Sequence, residues 1–116
     1  MPKLIALIQK QPQLSRAEFK AYYEANHAPL VGRLLPMIQR YTRSYLPDDP
    51  EMPEREGRAD FDVLTELWFA DEAALASFWQ RIREPEVIAA IRADEANFLI
   101  SEATVMYRVD EQEGAS

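Results

Sequence analysis

The sequence predicts one α+β domain of the ferredoxin-like type, with elements in the order βαββαβ. Its 116 residues are the length of one domain, and its apolar content of 47% is ordinary for a globular chain. The apolar positions switch between the two-residue period of strands and the 3.6-residue period of helices. We therefore expect a four-stranded antiparallel sheet with both helices on one face.

The first strand is predicted over Lys3 to Gln9, because this apolar stretch is too short for a typical helix. Both of its faces are apolar, which is typical of a strand buried on both sides. The first helix begins at Ser15, which forms a capping box with Glu18. Pro29 disfavours helical geometry at the preceding residue and predicts a kink or break there. The predicted inward stripe of this helix consists of Phe19, Tyr22, Tyr23, Asn26 and Leu30, with His27 at its flank.

The second half of the chain repeats the pattern of strand, helix and strand. Strands are predicted over Met37 to Leu46 and Phe61 to Phe69, separated by an acidic, proline-rich loop over residues 47–60. Asp71 caps the second helix. The apolar stripe of that helix is Leu75, Phe78, Trp79 and Ile82, and a further helical piece follows from Pro85, anchored by Ile88 and Ile91.

The last strand is predicted over Ile100 to Val109, so the domain spans residues 1–110 and residues 111–116 form a flexible tail. The first and last strands are apolar on both faces, whereas two helices cover only one face of the sheet. The other face would expose a large apolar patch. We therefore expect a homodimer in which two sheets pack face to face.

Composition excludes several classes of site. The sequence has no cysteine and one histidine, so clusters of these metal ligands cannot form, and we predict neither a metal nor a cofactor. The net charge of −7 argues against nucleic-acid binding. No apolar run is long enough to span a membrane, and no signal peptide is evident, so a cytoplasmic location is expected.

His27 is the side chain best suited to acid–base catalysis near neutral pH. It lies near the end of the first helix, beside Phe19 and Tyr23, where a cleft could open between helix and sheet. A surface or capping histidine is the alternative. Glu66 is a charged residue within a strand, either a catalytic carboxylate or half of a structural ion pair with Arg40, Arg43 or Arg108.

The segment from Ser15 to Leu30, which ends in His27-Ala28-Pro29-Leu30, resembles the EthD family, and the strand Glu66 to Phe69 continues the resemblance. This resemblance implies the dimeric α+β barrel superfamily, which includes muconolactone isomerases, polyketide cyclases, cofactor-free monooxygenases and haem-degrading enzymes. His27 matches the helix histidine of the methylmuconolactone isomerases, and Leu67 stands where those proteins have a strand cysteine.

These patterns predict a cofactor-independent isomerase, cyclase or dehydratase that transfers protons on a small cyclic or aromatic molecule. His27 would be the general acid/base, and the substrate would contact Tyr23, Phe19, Leu67 and Trp79. Two alternatives stay open. One is a non-catalytic binding or accessory protein of an oxidative degradation pathway, and the other is a cofactor-free oxidoreductase.

Overall fold

The computed structural model describes residues 1–48 and 60–115. Its four strands form one antiparallel sheet in the order β2-β3-β1-β4. The helices pack on one face of this sheet, as the sequence predicts for a ferredoxin-like α+β fold. The elements are β1 (Lys3–Ile8), α1 (Arg16–Tyr22), a π-turn (Tyr23–His27), α2 (Ala28–Leu34), β2 (Arg40–Tyr45), β3 (Val63–Trp68), α3 (Glu72–Ile82), α4 (Pro85–Glu95), a 3₁₀ turn (Ser101–Ala103) and β4 (Val105–Val109).

The helix starts follow the predicted caps. The Ser15 side chain accepts a hydrogen bond from the Glu18 amide, and the Glu18 carboxylate accepts one from the Ser15 amide. The Asp71 side chain accepts from the Ala74 amide and begins α3. α4 differs from its prediction, since Val87 is buried in place of Ile88.

The first helix neither ends nor breaks before Pro29. Instead, one π-turn joins α1 to α2, with the Ala28 amide donating to the Tyr23 carbonyl. A proline ring clashes with the carbonyl four residues earlier in a regular α-helix, and the wider π-turn relieves that clash. The added residue also shifts the helix phase, so Asn26 faces solvent, contrary to its predicted inward position, and His27 is buried.

The face of the sheet under the helices carries the core. Two apolar clusters fill the space between the helices and this face. They are centred on Leu4, Leu67, Phe69, Phe78 and Val87 at one end and on Phe19, Tyr23, Val63, Phe98 and Leu99 at the other.

The opposite, open face of the sheet is mixed in character. Val105 and Tyr107 of β4 are exposed there, while Trp68 is covered by Lys3 and by Glu111, the first residue of the predicted tail. The expected acidic loop lies outside the described residues, apart from its ends.

Candidate functional site

A narrow cavity of about 90 Å³ lies between the helices and the sheet, and His27 and Tyr23 are in its wall. Most of its lining is aliphatic or aromatic, contributed by the four strands, the π-turn, α2, α3 and α4. Its polar lining groups are His27, Tyr23, Tyr41, Thr65, Glu95 and Thr104. An apolar cavity with a few converging polar groups is typical of a small-molecule site.

The imidazole of His27 is fixed by a carboxylate from α4. Its Nδ1 lies 2.9 Å from Oδ2 of Asp94, and the other Asp94 oxygen accepts a 2.6 Å hydrogen bond from the Tyr22 hydroxyl. Because a carboxylate only accepts, this pairing places the imidazole proton on Nδ1. The Nε2 atom then carries a lone pair and can act as a base.

The Nε2 atom of His27 has no hydrogen-bond partner among residues 1–48 and 60–115. The imidazole ring itself forms part of the cavity wall. Burial lowers the pKa of His27, and the hydrogen bond to Asp94 offsets part of this effect. The neutral, basic form of the imidazole is therefore favoured.

Three hydroxyl groups, all on residues that line the cavity, form a hydrogen-bonded chain. The Tyr23 hydroxyl lies 2.8 Å from both the Tyr41 hydroxyl and Thr65 Oγ1. The two bonds use two of the three hydroxyl protons, so one proton is left at an end of the chain to donate to a ligand. The Arg43 guanidinium stacks 4.6 Å from the centre of the Tyr41 ring and would favour negative charge on that ligand oxygen.

Arg43 is held in place from the solvent side. Its guanidinium donates two hydrogen bonds to Glu24, which also accepts from the Tyr45 hydroxyl. Arg43 lowers the pKa of Glu24 to about 2, so this carboxylate stays ionised near neutrality.

The structure brings together only some of the predicted site residues. His27, Tyr23 and Leu67 line the cavity. Phe19 is buried behind it, against Tyr23 and Phe98. Trp79 lies on the outer side of α3 and does not reach the cavity.

Glu66 lies on the open face of the sheet, away from His27. Its carboxylate pairs with Lys3 at 2.9 Å. None of the three arginines suggested from the sequence is its partner. Arg40 stacks on Trp68, Arg43 pairs with Glu24 and Arg108 pairs with Glu72.

Sequence reasoning missed Asp94, Tyr41, Thr65 and Glu95. Asp94 and Glu95 are 67 and 68 residues from His27 and sit in a helix with many charged positions, so nothing local marks them. Tyr41 and Thr65 could be assigned to strands from the sequence. Their closeness to each other could not be predicted, because it depends on the register of β2 against β3.

The fold and cavity define a ferredoxin-like α+β protein with a buried histidine site, and the sequence profile of the EthD domain matches residues 11–101. The chain belongs to the EthD family. No curated protein sequence matches it.

Solved structures support the fold. An EthD family protein from Bacillus halodurans is 21% identical with a TM-score of 0.64, over 97% of this chain and 100% of that one. SnoaB from Streptomyces nogalater, a cofactor-independent oxygenase, is 14% identical with a TM-score of 0.57, over 97% and 94%. A dimeric ferredoxin-like protein from Bacteroides fragilis is 16% identical with a TM-score of 0.52, over 93% and 95%.

No helix within the described ranges is long and apolar enough to cross a membrane. The same ranges contain no group of three or more His, Asp or Glu residues arranged to hold a metal ion.

Proposed function

We propose that this protein is a cofactor-independent enzyme that transfers a proton on a small cyclic or aromatic molecule, in an isomerisation, cyclisation or dehydration. The observation that carries the proposal is the state of His27. Its Nδ1 is bound to Asp94, its Nε2 has no protein partner among the described residues, and its ring lines a largely apolar cavity. An imidazole held in this way is a general base aimed at a ligand.

The hydroxyl chain of Tyr23, Tyr41 and Thr65 supplies the second part of the reaction. When a base removes a proton from carbon next to a carbonyl group, negative charge develops on the carbonyl oxygen. The unused hydroxyl proton of the chain can donate to that oxygen, and Arg43 stabilises the charge from behind Tyr41. The substrate is therefore expected to be a ring bearing a carbonyl or phenolic oxygen.

The size of the cavity limits the substrate. A cavity of roughly 150 Å³ is enough to bind benzene, and the present volume is about 90 Å³. A single ring therefore requires a side chain to move. Met106 of β4 lines the cavity, is 39% exposed and has a flexible thioether chain, so it is the side chain expected to move aside.

Deuterium exchange into cyclohex-3-enone, a neutral single-ring ketone, tests this proposal. In D₂O the wild type should accelerate exchange at C2, the carbon between the carbonyl and the double bond, and His27→Gln should lower that rate by about 10²–10⁴. Glutamine can still donate to Asp94, and Asn26→Ala, on the exposed side of the same turn, serves as the matched control. Equal exchange by wild type and His27→Gln would refute the proposal.

The same samples distinguish the alternatives. Binding of the ketone without any exchange would indicate a non-catalytic binding or accessory protein. Oxygen uptake with a phenolic ligand would indicate a cofactor-free oxidoreductase, in which the substrate anion formed by proton removal reacts with oxygen.

We also propose that the protein is a homodimer joined through the open faces of two sheets. Val105 and Tyr107 are 39% and 55% exposed on this face, beside the partly exposed Ile5 and Leu7 of β1. Burying such a row of apolar side chains against a second copy is favourable. The dimeric state of the Bacteroides protein with the same fold supports a dimeric state for this chain.

A further inference from the structure

The carboxyl group of Glu95 is a titratable group in the cavity that proton removal by His27 does not use. Glu95 is the last residue of α4 and lines the same cavity as His27. In the part of the chain that the structure describes, its one side-chain hydrogen bond comes from Ser101 Oγ, at a long 3.4 Å. By contrast, both oxygens of the neighbouring Asp94 are engaged. Two adjacent acids therefore have different environments, and only Glu95 is left to contact a ligand.

The surroundings of Glu95 favour its protonated form. Burial is the largest influence and raises its pKa, and the charge of Asp94 acts in the same direction. Arg92 on the exposed side of α4 and the hydroxyl of Ser101 act in the opposite direction without reversing the shift. The other titratable residues that line the cavity are Tyr23, Tyr41 and His27, and burial favours the neutral form of His27.

We propose that Glu95 is a second proton-transfer group of this cavity and that the site shifts a double bond in an uncharged, unsaturated carbonyl compound. The proposal rests on the proton-transfer function of His27. With a base and a carboxyl group in one cavity, the site can remove a proton from one atom of the substrate and add a proton to another.

The reaction balances without a co-reactant. His27 Nε2 takes a proton from the carbon between the carbonyl and the double bond, and the electron pair of that C–H bond forms a dienolate, whose oxygen accepts a hydrogen bond from the hydroxyl chain. The Glu95 carboxyl then gives its proton to the far carbon of the original double bond. The carbonyl re-forms and the double bond becomes conjugated with it. The imidazolium returns its proton to the Glu95 carboxylate, directly or through water.

The charges around the cavity explain why the substrate should be uncharged. No lysine or arginine is among the described residues that line the cavity, and the carboxylate of Asp94 lies directly behind His27. An anionic ligand would lose its hydration and gain no cation in return. It would also raise the pKa of Glu95 further, which would weaken Glu95 as an acid.

Cyclohex-3-enone in D₂O separates this inference from the proposed function, because each group acts on a different carbon. Deuterium at C2 reports His27, whereas deuterium at C4 in the product, cyclohex-2-enone, reports the second group. Glu95→Gln is expected to slow the double-bond shift by about 10²–10⁴ while C2 exchange falls by less than tenfold. Glu102→Gln, an exposed acid seven residues further on, should leave both rates unchanged.

Binding provides a second measurement that does not need turnover. Benzamide and benzoate have nearly the same shape and differ in charge. By NMR titration at pH 7, wild type should bind benzamide at least tenfold more tightly than benzoate, and Glu95→Gln, which is uncharged like the protonated acid, should keep that ratio within about twofold.

Each result decides a separate point. A normal double-bond shift in Glu95→Gln, or a severalfold fall in the benzamide-to-benzoate ratio, which would indicate an ionised Glu95, would overturn the role of Glu95 as an acid while leaving His27 as the base. Failure of wild type to exchange C2 would overturn the proposed function and, with it, the catalytic role of Glu95.

Discussion

Asp94→Asn tests whether the carboxylate holds His27 in the tautomer that chemistry requires. The side chains of His27 and Asp94 are only 6% and 15% exposed, so water cannot replace a lost partner. Asp94 accepts two hydrogen bonds, from His27 and Tyr22, and asparagine keeps one acceptor oxygen. At least one charge-assisted bond is therefore lost, which should lower the free energy of unfolding by roughly 1.5–3 kcal/mol.

Asp94→Asn should lower the rate of proton removal by His27 more than the loss of stability alone would suggest. If the asparagine NH₂ faces the imidazole, Nδ1 must accept, and the proton moves to Nε2, where it blocks proton removal. A comparable substitution in a Ser-His-Asp triad lowers turnover about 10⁴-fold. Because a free imidazole can still flip, we expect exchange at C2 of cyclohex-3-enone to fall about 10²–10³-fold.

Two measurements check this prediction. Urea unfolding gives the stability change, with Glu86→Gln, an exposed acid in the first turn of α4, expected to lie within about 0.5 kcal/mol of wild type. The ¹⁵N shifts of the imidazole at pH 7.5 should show Nδ1 protonated and Nε2 bare in wild type, and a mixed or reversed state in Asp94→Asn. A wild-type imidazole with its proton on Nε2 would refute the reasoning.

Three further predictions concern pH, the hydroxyl chain and assembly. Because burial lowers the pKa of His27 below its usual 6.5, the exchange rate should fall only below that pH. His27 is harder to protonate in the folded protein than in the unfolded one. Its contribution to the free energy of unfolding is therefore present above pH 6.5 and is lost as the pH falls through the lowered pKa. Unfolding of wild type and His27→Gln from pH 4 to 8 would measure this loss. Tyr23→Phe leaves the hydroxyls of Tyr41 and Thr65 without their shared partner and should cost about 2 kcal/mol in urea unfolding, and no measurable cost would contradict the hydroxyl chain. Tyr107→Glu places a charge on the open face and should convert a dimer to monomer by analytical ultracentrifugation, whereas an unchanged mass would argue against that interface.

Much of the fold is readable from local patterns in the sequence. The capping box at Ser15, the alternation in β3 and the stripe of α3 each depend on residues a few positions apart, so no tertiary information is needed. The π-turn is different. Pro29 signals a disturbance, but whether the chain breaks or widens depends on packing, and this choice turns His27 inward.

The site is only partly readable for the same reason. His27 and Tyr23 stand out by residue type and by their shared helix face. Asp94 reaches His27, and Glu95 reaches the cavity, only when α4 packs against the π-turn. Trp79 follows the apolar spacing of α3 but sits at the outer edge of the stripe. The ion-pair partner of Glu66 could not be predicted without the strand register, which pairs β1 with β3 and brings Lys3 beside Glu66.

A crystal structure with phenol bound at pH 7 tests the central claim most directly. Phenol is a neutral single ring with one oxygen, and it should lie in the cavity between His27 and the hydroxyl chain, with Met106 displaced. Its oxygen should be within about 2.6–3.2 Å of His27 Nε2 or of the Tyr41 or Thr65 hydroxyl. Phenol bound only elsewhere, or a His27 Nε2 occupied by a protein group, would contradict the account.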